Sequence, residues 1–249
     1  FAIELREQFV TASIGISIFP RDGTEAAELI RNADAAMYQV KEGGRFGFAF
    51  YTPELTQKAA ERVRLENDLH KALDLDQFQL HYQPQVELSS GRITGVEALV
   101  RWHDPARGFI SPMHFIQQCE KAGRMEHLTR YVLQSACSAG QLLHFRGHQI
   151  TMSVNISATL LGDMRVVGLV RNVLQATRFD PEYLTLEITE TARISDHTVA
   201  ASILEELRSI GVRIAMDDFG VGAASYETFY ELPFDEIKID RLFVANIAR

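Results

Sequence analysis

The chain has 249 residues, a net charge of -8, 46% hydrophobic residues and 23% charged residues. These proportions are those of a globular protein with room for one large domain, or one domain plus a piece of another. The acidic balance argues against a DNA or RNA polymer as partner, and no apolar run approaches the ~20 residues that cross a bilayer, but a small phosphate ligand stays open if a metal supplies local positive charge.

The first ten residues, "FAIELREQFV", lack the basic start, apolar centre and small-residue cleavage site of a signal peptide. The two cysteines, Cys119 and Cys137, sit in helix-like sequence with no CxxC or Cys-His cluster beside them. Both features point to a cytoplasmic setting and reduced core thiols. "VTASIGISIF" (10–19) is β-branched and apolar and predicts a strand. Thr24 is placed to cap a helix reaching residue 42, with Leu29, Ile30, Ala33, Met37 and Val40 at helical spacing. "FGFAFY" (46–51) predicts another strand. This β-α-β piece, residues 1–52, is too short to bury a good core alone. Residues 53–75 predict a charged amphipathic helix, opened by Pro53 after Thr52, that links two units.

Residues 76–249 read differently. In "FQLHYQPQVEL", Phe78, Leu80 and Tyr82 alternate with Gln79, His81 and Gln83, the pattern of a half-buried strand; Pro84 marks an edge or a bulge. "ITGVEALVRW", "ITMSVNIS", "LTLEIT", "VRIAMDDF" and "EIKID" are further strands. Helices are expected from Ser111-Pro112, with interruptions, to about Phe145, over 164–177, from Asp196 to about Ile210 before Gly211, and briefly in "YETFYEL". Strands alternating with helices predict a parallel sheet. Six strands in about 175 residues fit a (β/α)8 barrel that stops early.

A polar residue recurs near the carboxyl end of one strand after another: Glu97, Asn155, Glu187, Asp217 with Asp218, and Lys238. Each lies in apolar sequence, where a charge is costly unless paired or bound to a metal. Singly, each has a plainer reading, such as a helix cap, a turn or an ion pair. Together they describe the mouth of a barrel, where the ends of parallel strands meet. Carboxylates and an amide oxygen are hard donors suited to Mg²⁺ or Mn²⁺. Adjacent Asp217 and Asp218 could serve two ions, the arrangement that clamps both oxygens in phosphoester cleavage. Lys238 could hold a water or neutralise developing charge.

The set resembles the EAL domain family of cyclic di-GMP phosphodiesterases, through "YQPQVEL", "GVEALVRW", "GFISPMHFI", "SVNIS", "LEITET", "DDFGVG" and "LPFDEIKID". Residues 1–52 resemble the C-terminal part of a GGDEF domain, through "TASIGISIFP", "DGT", "NADAAMYQVKEGGR" and "FYTPEL". The GGDEF signature itself is expected upstream, so no cyclase activity is expected of this stretch. The resemblance implies a modified TIM-like α/β barrel with an antiparallel first strand. It implies hydrolysis of cyclic di-GMP to pGpG with two Mg²⁺ or Mn²⁺ ions, in a homodimer. By motif, Glu97, Asn155, Glu187, Asp217 and Asp218 would be metal ligands. Lys238, Glu190 and Asp218 would serve catalysis, Lys238 by holding the water and Glu190 by bracing the loop after Asp218. Gln83, Leu99 and Arg101 would touch the ligand, Arg101 through a fork suited to phosphate. Two departures stand out. Val221 replaces the family's usual threonine, removing a hydroxyl from that loop. The family's next glutamate-bearing strand and its last strand are not found before Arg249, so the barrel is expected to be truncated and this stretch to be a poor catalyst by itself. The alternative is a receptor that binds cyclic di-GMP without cutting it; a purely structural dimerisation unit would leave the acids in the strands unexplained.

Overall fold

The computed structural model describes residues 2–3, 6–7, 12–42, 46–57, 68–69, 72, 77–190, 194, 196–221 and 231–245. It divides into two compact units, Phe1–Asp68 and Leu69–Arg249. Most of the helix expected over 53–75, and the one expected in "YETFYEL", lie outside the described residues; 53–57, 68, 69 and 72 are helical.

In the first unit, β1 (Ala2–Ile3) and β2 (Arg6–Glu7) form an antiparallel ladder. β3 (Ser13–Ile16) crosses over through α1 (Ala26–Glu42) to a parallel β4 (Gly47–Phe50), the β-α-β piece expected from the sequence. Gly15 is required where α1 crosses β3: a Cβ there would lie 1.9 Å from the Ala33 carbonyl oxygen. The Asp22 carboxylate accepts from the Ile18 N–H at 2.8 Å, and Asn32 of α1 donates to the Asp22 carbonyl at 2.7 Å. The turn after β3 is thereby tied to the helix.

The second unit opens with β5 (Phe78–Val86), β6 (Ile93–Asp104) and β7 (Gly108–Ile110). Then come α2 (Pro112–Lys121), α3 (Met125–Phe145), β8 (Thr151–Asn155), α4 (Arg165–Thr177) and β9 (Leu184–Thr189). α5 (His197–Ser209), β10 (Arg213–Phe219), β11 (Glu236–Ile239) and α6 (Arg241–Val244) complete it. Among the described residues the sheet order is β11-β10-β9-β8-β6-β5, with β7 beside β6. β6, β8, β9, β10 and β11 are mutually parallel, and β5 is antiparallel to β6, as expected.

Helices follow the parallel strands because the inner strands β8, β9 and β10 are largely apolar and buried and must be covered. Met152, Val154, Leu184, Leu186, Ile188, Ile214 and Met216 on the strands are buried, as are Leu133, Val170, Leu204 and Leu207 on the helices. Cys119 and Cys137 are free thiols in this core, and burial pushes each up to about 12. Pro84 lies in the strand that ends the sheet order, one residue before a register shift at Gln85/Val86. The alternation expected along β5 holds at Phe78, which is buried, and fails at Tyr82, which is 40% exposed. Among the described residues, no helix is long and apolar enough to cross a membrane.

Candidate metal centre

The parallel register decides which polar side chains meet. Glu97 of β6 pairs with Ser153 of β8, Asn155 of β8 with Glu187 of β9, and Asp217 of β10 with Thr189 of β9. Side chains at these positions therefore emerge at adjoining levels of the sheet. Carboxylate oxygens of Glu97, Glu187 and Asp217 all lie within 4.8 Å of one another. Asn155 donates from Nδ2 to Glu97 Oε1 at 2.8 Å, which brings the amide into the same group.

Lys238 of β11 points into this group. Its Nζ lies 2.5 Å from Glu187 Oε2, 3.1 Å from Glu97 Oε2 and 3.3 Å from Asp217 Oδ1. The sequence suggested a partner for a water or for developing charge; in the structure the ammonium is first a counter-ion to three carboxylates. Burial alone would lower its pKa, but the hydrogen bond to Glu187 and the charges of Glu187, Glu97 and Asp217 outweigh that and hold it above the ordinary lysine range. Glu187 is 1% exposed. Burial pushes its carboxyl up to about 7, against the opposing pull of Lys238. Its Oε1 has no hydrogen-bond partner among the described residues. Ser153 of β8 adds a smaller stabilisation of the carboxylate; a buried carboxylate oxygen without a full hydrogen-bond partner is costly, and a bound cation would offset that cost.

Asp218 stands apart from the group within 4.8 Å. Its backbone is left-handed, with φ 57°, and its N–H donates to Asp217 Oδ1 at 3.0 Å. Burial, then the charges of Asp217 and Asp240, raise its pKa above the ordinary carboxylate range. Glu190 is buried and bridges two loops: its N–H donates to the Asp217 carbonyl at 2.8 Å, and its Oε2 accepts from the Gly220 N–H at 2.5 Å. Val221 follows with its N–H on the Asp218 carbonyl at 3.3 Å, so a backbone bond closes this turn without a side-chain hydroxyl.

Gln83, Leu99 and Arg101 belong to one wall. Gln83 pairs with Glu97, His81 with Leu99 and Gln79 with Arg101. Glu97, Leu99 and Arg101 are two apart on β6 and share a face. Arg101 donates from one guanidinium nitrogen to the Val100 carbonyl at 2.9 Å. The sequence reading passed over the residues beside Leu99 and Arg101 on this face, His81, His103 and Phe109. Their only sequence signal is their place in "LHYQP", "RWHDP" and "GFISP", and their meeting depends on register.

Hard oxygen donors gather at the ends of parallel strands, with a lysine among them, a group that could hold a metal ion on an α/β barrel scaffold. The chain belongs to the EAL domain family: residues 66–249 match the model of the EAL domain. Residues 1–46 match that of the diguanylate cyclase, GGDEF domain. The chain is 40% identical over 249 residues to the bifunctional diguanylate cyclase/cyclic di-GMP phosphodiesterase MucR of Pseudomonas aeruginosa, covering 100% of this chain and 36% of that protein. It is 36% identical over 247 residues to the cyclic di-GMP phosphodiesterase PdeR of Escherichia coli, covering 99% and 37%. The chain thus spans little more than a third of the length of these relatives. Among solved structures, the PaMucR phosphodiesterase in its cyclic di-GMP complex is similar at a TM-score of 0.69 and 39% identity, covering 75% of this chain and 76% of that one. The EAL enzyme Bd1971 in its cAMP and cyclic di-GMP bound form is similar at 0.70 and 27%, covering 92% and 60%. These neighbours are EAL domains of the TIM-like barrel fold, the class expected from the sequence.

Proposed function

We propose that this chain is the catalytic part of a phosphodiesterase that hydrolyses cyclic di-GMP to pGpG with two divalent ions, Mg²⁺ or Mn²⁺. One observation carries the reading: Glu97, Glu187 and Asp217 converge within 4.8 Å beside Asn155, with a buried oxygen of Glu187 unpaired. The donor set fits such ions, being all oxygen in chemistry once the Asn155 amide presents its carbonyl. Glu97, Asn155, Glu187, Asp217 and Asp218 would hold them. When bound, such ions supply Lewis-acid stabilisation of the attacking and leaving oxygens of a phosphodiester.

The chain's own groups divide the remaining work. Lys238, whose pKa is held above the ordinary lysine range by Glu187, Glu97 and Asp217, would donate to a water or to a phosphate oxygen that enters this group. Arg101, Leu99 and Gln83 form the wall beside the centre, and Arg101 offers phosphate a fork. Glu190 fixes Gly220 relative to Asp217, which sets the loop that follows Asp218. A second reading, a receptor that binds the same ligand without turnover, draws on the ion pairs of Lys238, which already neutralise part of the donor group.

The test uses the full protein with Mn²⁺ or Mg²⁺ and follows cyclic di-GMP by chromatography. Accumulation of pGpG that stops on chelation supports hydrolysis. A folded protein that binds cyclic di-GMP and releases no pGpG above background moves the assignment to the receptor.

A further inference from the structure

Beneath the candidate metal centre the sheet stays polar. Ser153 of β8 pairs with Thr185 of β9, two residues before the pair Asn155 and Glu187, and it also pairs with Glu97 of β6. Alternation along each strand puts all of these on one face. Ser153 is 3% exposed, and a hydroxyl so enclosed is costly without a hydrogen-bond partner.

That partner comes from two strands away. Gln85 of β5, itself half-buried, donates from Nε2 to Ser153 Oγ at 3.3 Å. β6 lies between β5 and β8, so the Gln85 side chain reaches across it. It can do so because the β6 residue paired with Gln85 is Gly95. A Cβ at Gly95 would lie 2.6 Å from Gln85 Oε1 and 2.2 Å from Thr151 Oγ1. β6 omits a side chain at the place where the amide crosses.

The donor order gives the contact a direction. A serine hydroxyl has one hydrogen to give and lone pairs that accept. With Gln85 donating to Oγ, the hydrogen is left for a second partner, and Ser153 acts on the Glu187 carboxylate, helping to hold its charge. Lys238 holds Glu187 at Oε2, and Oε1 has no full hydrogen-bond partner among the described residues. A carboxylate gripped at one oxygen can turn about its last bond, and a donor from the neighbouring strand limits that turning.

We propose that Gln85 and Ser153 are positioning residues that set Glu187 for cation binding, Gln85 acting through Ser153. The inference rests on the reading of Glu97, Glu187 and Asp217 as a metal centre and adds two residues to it. Groups that hold metal ligands from behind are typically worth about 10–100-fold in metal affinity.

The experiment titrates the full protein with Mn²⁺ alone, in the absence of nucleotide, by calorimetry. Ser153→Ala is expected to raise the Mn²⁺ Kd about tenfold, and Gln85→Leu to raise it by a similar factor. Combined, the two are expected to cost no more than Ser153→Ala alone, because the amide has then lost its acceptor. Gln85→Leu, at a half-buried position, carries the test if Ser153→Ala does not fold. Urea midpoints of the metal-free proteins are measured alongside. Unchanged Kd values with lowered midpoints would make the pair merely structural and overturn the inference, as would unchanged Kd and midpoints, or losses that add in the double variant. A wild type that takes up no Mn²⁺ overturns the metal centre and the pair with it. The expected Mn²⁺ affinities without pGpG formation would overturn hydrolysis and leave the pair standing.

Discussion

The two units use the same strand-helix-strand vocabulary and differ in how many faces are covered. In the first, α1 lies on one face of β3 and β4, and Ile14, Phe48 and Phe50 on the other face are 53%, 65% and 47% exposed. In the second, β9 sits between β8 and β10, and Leu184, Leu186 and Ile188 are buried to within 1%. Two strands and one helix can hide one side of a sheet. A row of parallel strands with helices between them hides both, and only a strand so enclosed can hold a carboxylate such as Glu187 dry enough for its environment to matter.

The contrast can be broken most sharply at the candidate metal centre. Glu97→Ala is expected to lower the rate of pGpG formation by about 10²–10³, measured by chromatography with Mn²⁺, the loss that follows removal of one group stabilising transition-state charge. Near-normal turnover would remove Glu97 from the centre. Next comes the enclosed core: Leu186→Ala should cost about 2–5 kcal/mol in urea unfolding.

The thiols test the same dryness by pH. Their folded values are raised from 9.0 to about 12, so above pH 9 the unfolded chain loses protons that the native chain keeps. Stability should therefore fall as pH rises from about 9 towards 12, by roughly 1 kcal/mol per thiol over the first unit, and replacing both cysteines with alanine should flatten that fall. Asp196 caps α5, its Oδ1 accepting from the Thr198 and Val199 N–H groups at 3.0 and 3.1 Å, and Asp196→Ala should cost about 1 kcal/mol. At the other end of the scale, Phe48→Ala in the uncovered face of the first unit should change unfolding by no more than about 0.5 kcal/mol. A loss as large as that of Leu186→Ala would show that this face is covered in solution.

The sequence revealed the features that repeat. "LTLEIT" has the bounds of β9, because an apolar run between a proline-opened turn and a polar loop has few alternatives. The polar residues at strand ends were legible because each interrupts an apolar stretch. Three features were not. β7 is three residues long, too short for a period, and forms because the Asp104 turn folds it back on β6. Tyr82 alternates with its neighbours in sequence but lies past the part of β5 that the buried Phe78, Trp102 and Phe115 cluster covers, so tertiary packing overrides the pattern. The place of Lys238 among three carboxylates, and of Asp218 outside their group, is set by strand register and a left-handed backbone, neither of which a linear pattern encodes.

β6 carries its candidate site residues at every second letter: Glu97, Leu99, Arg101. One extra or missing residue within that stretch would turn everything beyond it over, sending Trp102 to the solvent and the later functional groups into the aromatic core. Members of this family should therefore vary in letter along this ribbon while keeping its count, and a single-codon insertion there should be far more damaging than any one substitution.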